Sequence, residues 1–255
     1  MRTILAAALI SFLAACASTP AEAPPPAPVA ATATSANIVA ALADERRPQA
    51  DRDRDATRHP ADILAFADVQ PGQRIADIGP GAGYYTRLFS VAVGETGKVF
   101  AIDRPNTPER RRPILDTAPA YPNVAVIQEG YQGWRAPEPL DTIFISQIYH
   151  DFHLPAFNLN ISTVNRDMLE ALKPGGTLII IDHAAVAGSD LSVTDSLHRI
   201  DEATLRAELE AAGFVYEGSS DVLRNPADDR TERVFESDIR GHTDQFVLRF
   251  RKPAA

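Results

Sequence analysis

Arg74-Ile-Ala-Asp-Ile-Gly-Pro-Gly-Ala-Gly-Tyr-Tyr-Thr86 decides the reading of this chain. Ile75, Ala76 and Ile78 form a short apolar run with the size and composition of a buried strand, and Asp77 lies near its carboxyl end. Gly79, Gly81 and Gly83 follow as a turn in which the missing Cβ atoms let a ligand approach the backbone. Leu88, Phe89 and Val93 then recur at helical spacing, so a helix starts where the turn ends. Strand, glycine turn and helix make the ligand crevice of an open parallel α/β sheet. A dinucleotide fingerprint, G-x-G-x-x-G, would need its third glycine where Tyr84 stands, which argues against a nicotinamide or flavin oxidoreductase.

Working outward, Lys98-Val-Phe-Ala-Ile-Asp103 reads as the second strand. Gly97-Lys98 lacks the glycine spacing and the following Ser or Thr of a phosphate loop. Asp103, about twenty residues past the glycine turn, is placed to accept both hydroxyls of a ribose, with a helix N-cap as the alternative. Pro108 to Ala118 is predicted as a helix, Val124 to Ile127 as the third strand, and Leu140 to Ser146 as the fourth. The fourth strand runs into Gln147-Ile-Tyr-His-Asp-Phe-His153. Catalytic groups in such sheets sit just past the strand carboxyl ends. His150 is expected there as a general base with Asp151 as its orienting partner, although it could also simply fill space. His150 and His153 have a spacing that metal pairs use, but no second acidic pair lies nearby in sequence, so no metal is expected.

Asn158 to Leu172 is an amphipathic helix ended by Lys173-Pro-Gly-Gly176, and Thr177 to Asp182 is the fifth strand. Asp182 and His183 emerge at the active-site edge, His183 as a second candidate for substrate contact. Leu197-His-Arg-Ile-Asp-Glu202 precedes a helix that Gly213 stops; Arg199 and Asp201 either line the pocket or, for Asp201, cap that helix. Phe214 to Leu223 and Thr243 to Arg251 are the last strands, an antiparallel pair at the sheet edge. The polar stretch between them is either exposed or folded over the pocket.

The ordered set D-x-G-x-G-x-G, strand-end acid, and L-K-P-G-G before a buried strand resembles the class I S-adenosylmethionine (SAM) methyltransferases over residues 60 to 252. With I-G-P-G-A-G-Y-Y-T, Y-H-D-F and L-H-R-I-D, it is similar to a group of bacterial exported methyltransferases. The resemblance implies a Rossmann-like α/β three-layer αβα sandwich, with a seven-stranded, mostly parallel sheet of order 3-2-1-4-5-7-6 and strand 7 antiparallel. It implies S-adenosyl-L-methionine as cofactor, held by Asp77, Gly79, Gly81, Gly83, Tyr84, Asp103, Glu129 and Ser146, with His150, Asp151 and His183 as catalytic residues. A small-molecule methyl acceptor is expected. The alternative is a module that keeps the nucleoside crevice and binds without catalysis.

The ends of the chain read differently. Arg2 and the apolar run Ile4 to Ala15 form a signal-like segment too short to span a bilayer permanently. Leu13-Ala-Ala-Cys16 resembles the lipobox of bacterial lipoproteins, which implies cleavage before Cys16, lipidation of its thiol and, since Ala17 follows, the periplasmic face of the outer membrane. Residues 16–36, rich in Ala, Pro and Thr, are a semi-rigid tether. The catalytic domain is then 37–255, with 37–60 a candidate lid: its charge-dense part, residues 44–58, is either a solvated surface or a cap in which Arg54, Asp55 and Arg58 face the crevice. The formal charge of −9 argues against nucleic acid or an anionic membrane surface as partner. The run Arg110 to Arg112 reads as a solvated helix face.

Overall fold

A computed structural model describes residues 35–106 and 112–254. The signal-like segment, Cys16, the tether up to residue 34 and residues 107–111, with most of the arginine run, lie outside them. In chain order the elements are α1 (Ala36–Ala43), α2 (Gln49–Arg52), α3 (Asp55–Arg58), α4 (Pro60–Phe66), β1 (Arg74–Ile78), α5 (Tyr84–Val93), β2 (Lys98–Ile102), α6 (Ile114–Thr117), β3 (Val124–Ile127), β4 (Leu140–Ser146), α7 (Ile161–Ala171), β5 (Leu172–His183), α8 (Ser192–Ser196), α9 (Glu202–Ala212), β6 (Val215–Ser220) and β7 (Gln245–Arg251). Among the described residues no helix is long and apolar enough to cross a membrane.

The sheet has seven strands in the order β3-β2-β1-β4-β5-β7-β6, parallel except for β7, which is antiparallel to both neighbours. This is the architecture the sequence resemblance implied. Alternation explains its two cores. Ala76, Ile78, Ile143, Ile145, Leu178 and Ile180 face α7 and α9, where Val164, Met168, Leu205 and Leu209 meet them. Ile75, Phe144, Ile179 and Ile181 point the other way, into Ile38, Ile63, Leu64, Leu88 and Phe89 of α1, α4 and α5. Strands buried on both faces must be apolar at nearly every position, which is why β1, β4 and β5 read as continuous hydrophobic runs.

Boundaries follow local chemistry. Pro60 opens α4, where its missing N–H costs nothing. Asn160 caps α7 by accepting from the Thr163 amide, so the helix begins after the predicted Asn158. Asp201 caps α9, and Gly213, in the left-handed region at φ 106°, ends it. β5 starts directly at Leu172; pairing jumps from Leu140–Leu172 to Thr142–Thr177, so Lys173-Pro-Gly-Gly176 bulges out of the ladder.

Candidate active site

The strand registers bring the candidate residues together. Ile78 pairs with Ile102 and with Ile145, so Gly79, Asp103 and Ser146 leave the sheet side by side. The sheet order reverses between β1 and β4, the switch point where open α/β sheets bind ligands.

The three glycines have different reasons to be glycine. All have positive φ, 70°, 56° and 86° for Gly79, Gly81 and Gly83. A Cβ on Gly79 would stand 2.7 Å from Ile148, and one on Gly83 would stand 2.8 Å from Thr117. At Gly81 it would meet nothing within 4 Å. The outer glycines therefore let the fourth-strand tail and α6 close in, while the middle one fronts open space beside bare backbone. Such a cradle fits the adenosyl and methionyl parts of SAM.

Two carboxylates flank it. Asp77 is buried and accepts from Thr86 Oγ1 at 2.5 Å. Burial pushes its carboxyl up to about 7, the Thr86 bond opposes this, and the nearby Asp103 charge adds to it. Asp103, also buried, accepts from Tyr131 Oη at 3.1 Å and from the Arg104 amide at 2.7 Å. Glu129, expected at the adenine edge, is exposed just beyond β3. Its neighbour Gln128 instead holds a buried Nε2 with no hydrogen-bond partner. The one-residue offset puts the amide on the inside, and the strand's weak alternation gave little sign of it. Ser146 is half-buried at the end of β4.

The charge-dense segment 44–58 is not a freely solvated surface. Arg47, 1% exposed, makes a bidentate pair with Asp55, and Asp55 accepts from Tyr84 Oη at 2.6 Å. Asp51, also buried, receives Arg87 Nε at 2.7 Å, and Arg87 Nη1 reaches the Ala82 carbonyl inside the glycine turn at 2.8 Å. Tyr84 thus turns its hydroxyl to the N-terminal segment. Arg58 lies 4.9 Å from the Tyr84 ring centroid and donates to Gln147 Oε1 at 3.0 Å, linking α3 to the tail of β4.

That tail carries the histidines. His150 lies in a short 3₁₀ turn, His150–His153, and is 3% exposed. Its Nδ1 is 2.7 Å from Asp182 Oδ1, and its backbone amide donates to Asp182 Oδ2 at 2.8 Å. Its Nε2 is 3.2 Å from Asp151 Oδ1. Burial works against the charged ring, but the field of Asp182, then the bonds to Asp151 and Asp182, outweigh it and push the imidazole up to about 10. This argues against the general-base expectation: both ring nitrogens face carboxylates, and the field that raises the imidazole favours its charged form, which has no lone pair to take a proton. It also corrects the partner. Asp182, fully buried, orients His150, whereas Asp151 also faces His198 Nδ1 at 3.1 Å. His198 was missed as a site residue and Asp182, expected at the active-site edge, was given no role; His198 sits in the L-H-R-I-D motif, but only the fold shows that residues 150 and 198 meet.

His183 is half-buried with Nδ1 2.7 Å from Thr243 Oγ1. Burial, together with the nearby His150, Arg199 and Arg58 charges and against the pull of Asp182, brings it down to about 4, so it is neutral at pH 7. His153 turns elsewhere, its Nε2 3.3 Å from Glu208 Oε2. Arg199 does not line the pocket: it is fully buried, forks onto Asp228 and donates to the Ala184 and Glu232 carbonyls. That lock draws part of the 224–241 connection over the acceptor end, where Phe235 lies 4.8 Å from the His198 ring and Arg233 Nη2 lies 3.1 Å from its Nε2.

The family model for protein-L-isoaspartate(D-aspartate) O-methyltransferase matches residues 50–186, from the clamped segment through the histidine turn to just past β5. The chain belongs to this family and has the class I fold of SAM-dependent methyltransferases, with S-adenosyl-L-methionine as its cofactor. Protein-L-isoaspartate O-methyltransferase 2 of Archaeoglobus fulgidus is 32% identical over 120 residues, covering 46% of this chain and 49% of that protein. The chain thus spans about half the length of the curated relatives it matches. Among solved structures, a SAM-dependent methyltransferase from Aquifex aeolicus aligns with TM-score 0.54 and 21% identity over 81% of this chain and 99% of its own. The [4+2]-cyclase SpnF aligns with TM-score 0.56 and 18% identity over 86% and 92%. These two show a shared fold alone.

Proposed function

We propose that the protein is a carboxyl O-methyltransferase that esterifies a side-chain carboxylate of the isoaspartyl kind on a protein or peptide, and that it works from a lipid anchor in the bacterial envelope. The observation that carries the acceptor class is the engagement of both His150 ring nitrogens by carboxylates, at 2.7 and 3.2 Å. An alcohol or amine would have to lose a proton at or after attack, and His150 is not arranged to take it. A carboxylate arrives as an anion and needs no base. The printed names of the relatives, which act on protein L-isoaspartate, support the same class in place of the free small molecule expected from the sequence.

In this reading Asp103 holds the ribose hydroxyls, Gly81 gives the open backbone, and Asp77 with Thr86 fixes the turn. Bound there, SAM supplies an electrophilic methyl on a sulfonium sulfur, which an acceptor oxygen takes to give a methyl ester and S-adenosylhomocysteine. Arg58, at the junction of the clamped segment and the β4 tail, offers the acceptor a cation. Three exposed apolar side chains, Val186, Leu191 and Phe235, belong to the excursions after β5 and before β7 and give a peptide backbone something to lie on. α8, in the first excursion, packs on the His150 turn. Envelope anchoring is supported by the signal-like run and Leu13-Ala-Ala-Cys16. On this reading Cys16→Ser releases the protein from membranes; a variant that still sediments with them would contradict it.

The test uses SAM labelled in its methyl group and an isoaspartyl peptide. The expected product is peptide-sized label that mild alkali releases as methanol, because esters hydrolyse and methyl ethers or amines do not. Alkali-stable label, or label confined to free small molecules, would overturn the acceptor class.

A further inference from the structure

The histidine turn holds a cluster with no part in cofactor binding. We infer that His150 Nε2, Asp151 Oδ1 and His198 Nδ1 form a binding site for one divalent first-row transition metal ion. The three atoms lie within 4.8 Å of one another, and two of the edges are 3.2 and 3.1 Å. Bonds of about 2.0–2.2 Å to imidazole nitrogen and carboxylate oxygen put neighbouring ligands about 3 Å apart, so those two edges already have the needed span. Two histidines and one carboxylate, with the rest of the coordination sphere left for solvent or substrate, suit Mn, Fe, Co, Ni or Zn better than Mg or Ca.

Three further features separate this arrangement from a chance hydrogen-bonded triad. First, the nitrogen of His150 on the far side of the ring is held by Asp182 at 2.7 Å, and Asp182 is fully buried. A buried carboxylate on the far nitrogen is the way proteins orient a ligating imidazole, here turning Nε2 toward Asp151. Second, His198 adopts a left-handed backbone at φ 54°, which a residue with a side chain adopts at a cost, and this conformation accompanies an imidazole pointed at Asp151. Third, the Asp151 side chain is 22% exposed and that of His198 is 14% exposed, so an ion has a way in. In the present arrangement Arg233 Nη2 faces His198 Nε2. Ligation through Nδ1 places the remaining proton on Nε2, so binding turns the exposed Arg233 away and releases to solvent the proton shared by His150 and Asp151. The role of the ion rests on the carboxyl-transfer reading: an acceptor carboxylate taken as a further ligand has one oxygen fixed beside the crevice. Binding itself does not depend on that reading.

The experiment uses the full chain with Cys16→Ser, which removes the only thiol, stripped of metal with a chelator. Titration with Co²⁺ followed by visible absorption, and competition with Zn²⁺, read the site directly. The expected result is one ion per chain with d–d bands that Zn²⁺ displaces. His198→Ala, a half-buried position, should keep the fold by circular dichroism and weaken the ion by at least about ten-fold. Asp151→Asn should do the same, whereas His150→Ala risks the fold because the side chain is buried. Absence of Co²⁺ bands and of Zn²⁺ binding to folded protein, or equal affinity in His198→Ala, would overturn the site. Metal binding without methyl transfer to a carboxylate would leave the site standing and remove the proposed function; the reverse would do the opposite.

Discussion

The two halves of the crevice are built by different means. Around β1 and β2 the surface is mostly backbone: a turn of glycines, with side chains from residues 77, 86 and 103 within one short span of chain. Around β4 and β5 it is side chain, and it is gathered from afar: His150, Asp182 and His198 lie on three separate segments. A backbone cradle tolerates few changes of shape, because each added Cβ meets a neighbour or a ligand. A side-chain cluster tolerates changes of shape but not of charge, because its central pair, His150 and Asp182, is buried with each group against the other. Substitutions should therefore fail differently at the two ends.

The largest loss is expected from Asp182→Ala. It leaves the imidazolium of His150 buried with only Asp151 beside it, and breaking such a pair costs about 3–5 kcal/mol. Denaturant unfolding would measure it; a cost below about 1 kcal/mol would show that the pair is not a charged one.

Next comes the contrast between two glycines. Gly83→Ala combines left-handed strain with a contact at 2.8 Å on Thr117 and should destabilise by about 1–3 kcal/mol. Gly81→Ala carries the strain alone, about 1–2 kcal/mol, but should weaken SAM binding more than its stability cost explains. Equal effects on binding would blur the distinction between a packing glycine and a ligand-facing one.

Tyr84→Phe is milder. Removing the bond to Asp55 should cost about 1–2 kcal/mol and loosen residues 49–58, read as faster amide exchange there with the core unchanged. Unchanged exchange would detach that segment from the cofactor end.

A pH slope sharpens the comparison at the backbone end. Asp77 has its carboxyl raised by burial to about 7, so the folded state holds a proton that the unfolded chain gives up near 4. The stability this contributes is fully present below about pH 4 and is lost as pH rises to about 7. Asp77→Asn should remove that slope in thermal melts between those limits; an identical slope would place the raised carboxyl elsewhere.

The same difference in construction governs what could be read in the sequence. Glycine turn, buried strands and the bulged Lys173-Pro-Gly-Gly176 are local patterns, and the sheet order followed from the resemblance they carried. The outward turn of Glu129 was hard to read because β3, half-buried except at the exposed Ala125, has no buried position to set which side chain faces inward. Segment 44–58 was ambiguous because alternating charge looks alike on a solvated face and in a clamp; only the burial of Arg47, Asp51 and Arg87 tells them apart. Asp182 was placed at the active-site edge without a role and Arg199 read as a pocket residue, since nothing within a few residues of either shows its partner, His150 or Asp228.

The most direct test of the divided crevice is calorimetric titration of SAM into the wild type, Asp103→Ala and His198→Ala. Micromolar binding to the wild type, about −8 kcal/mol, is expected, with a loss of at least about ten-fold in Asp103→Ala and none in His198→Ala. SAM binding that survives Asp103→Ala but falls with His198→Ala, or no binding to a folded wild type, would contradict the account.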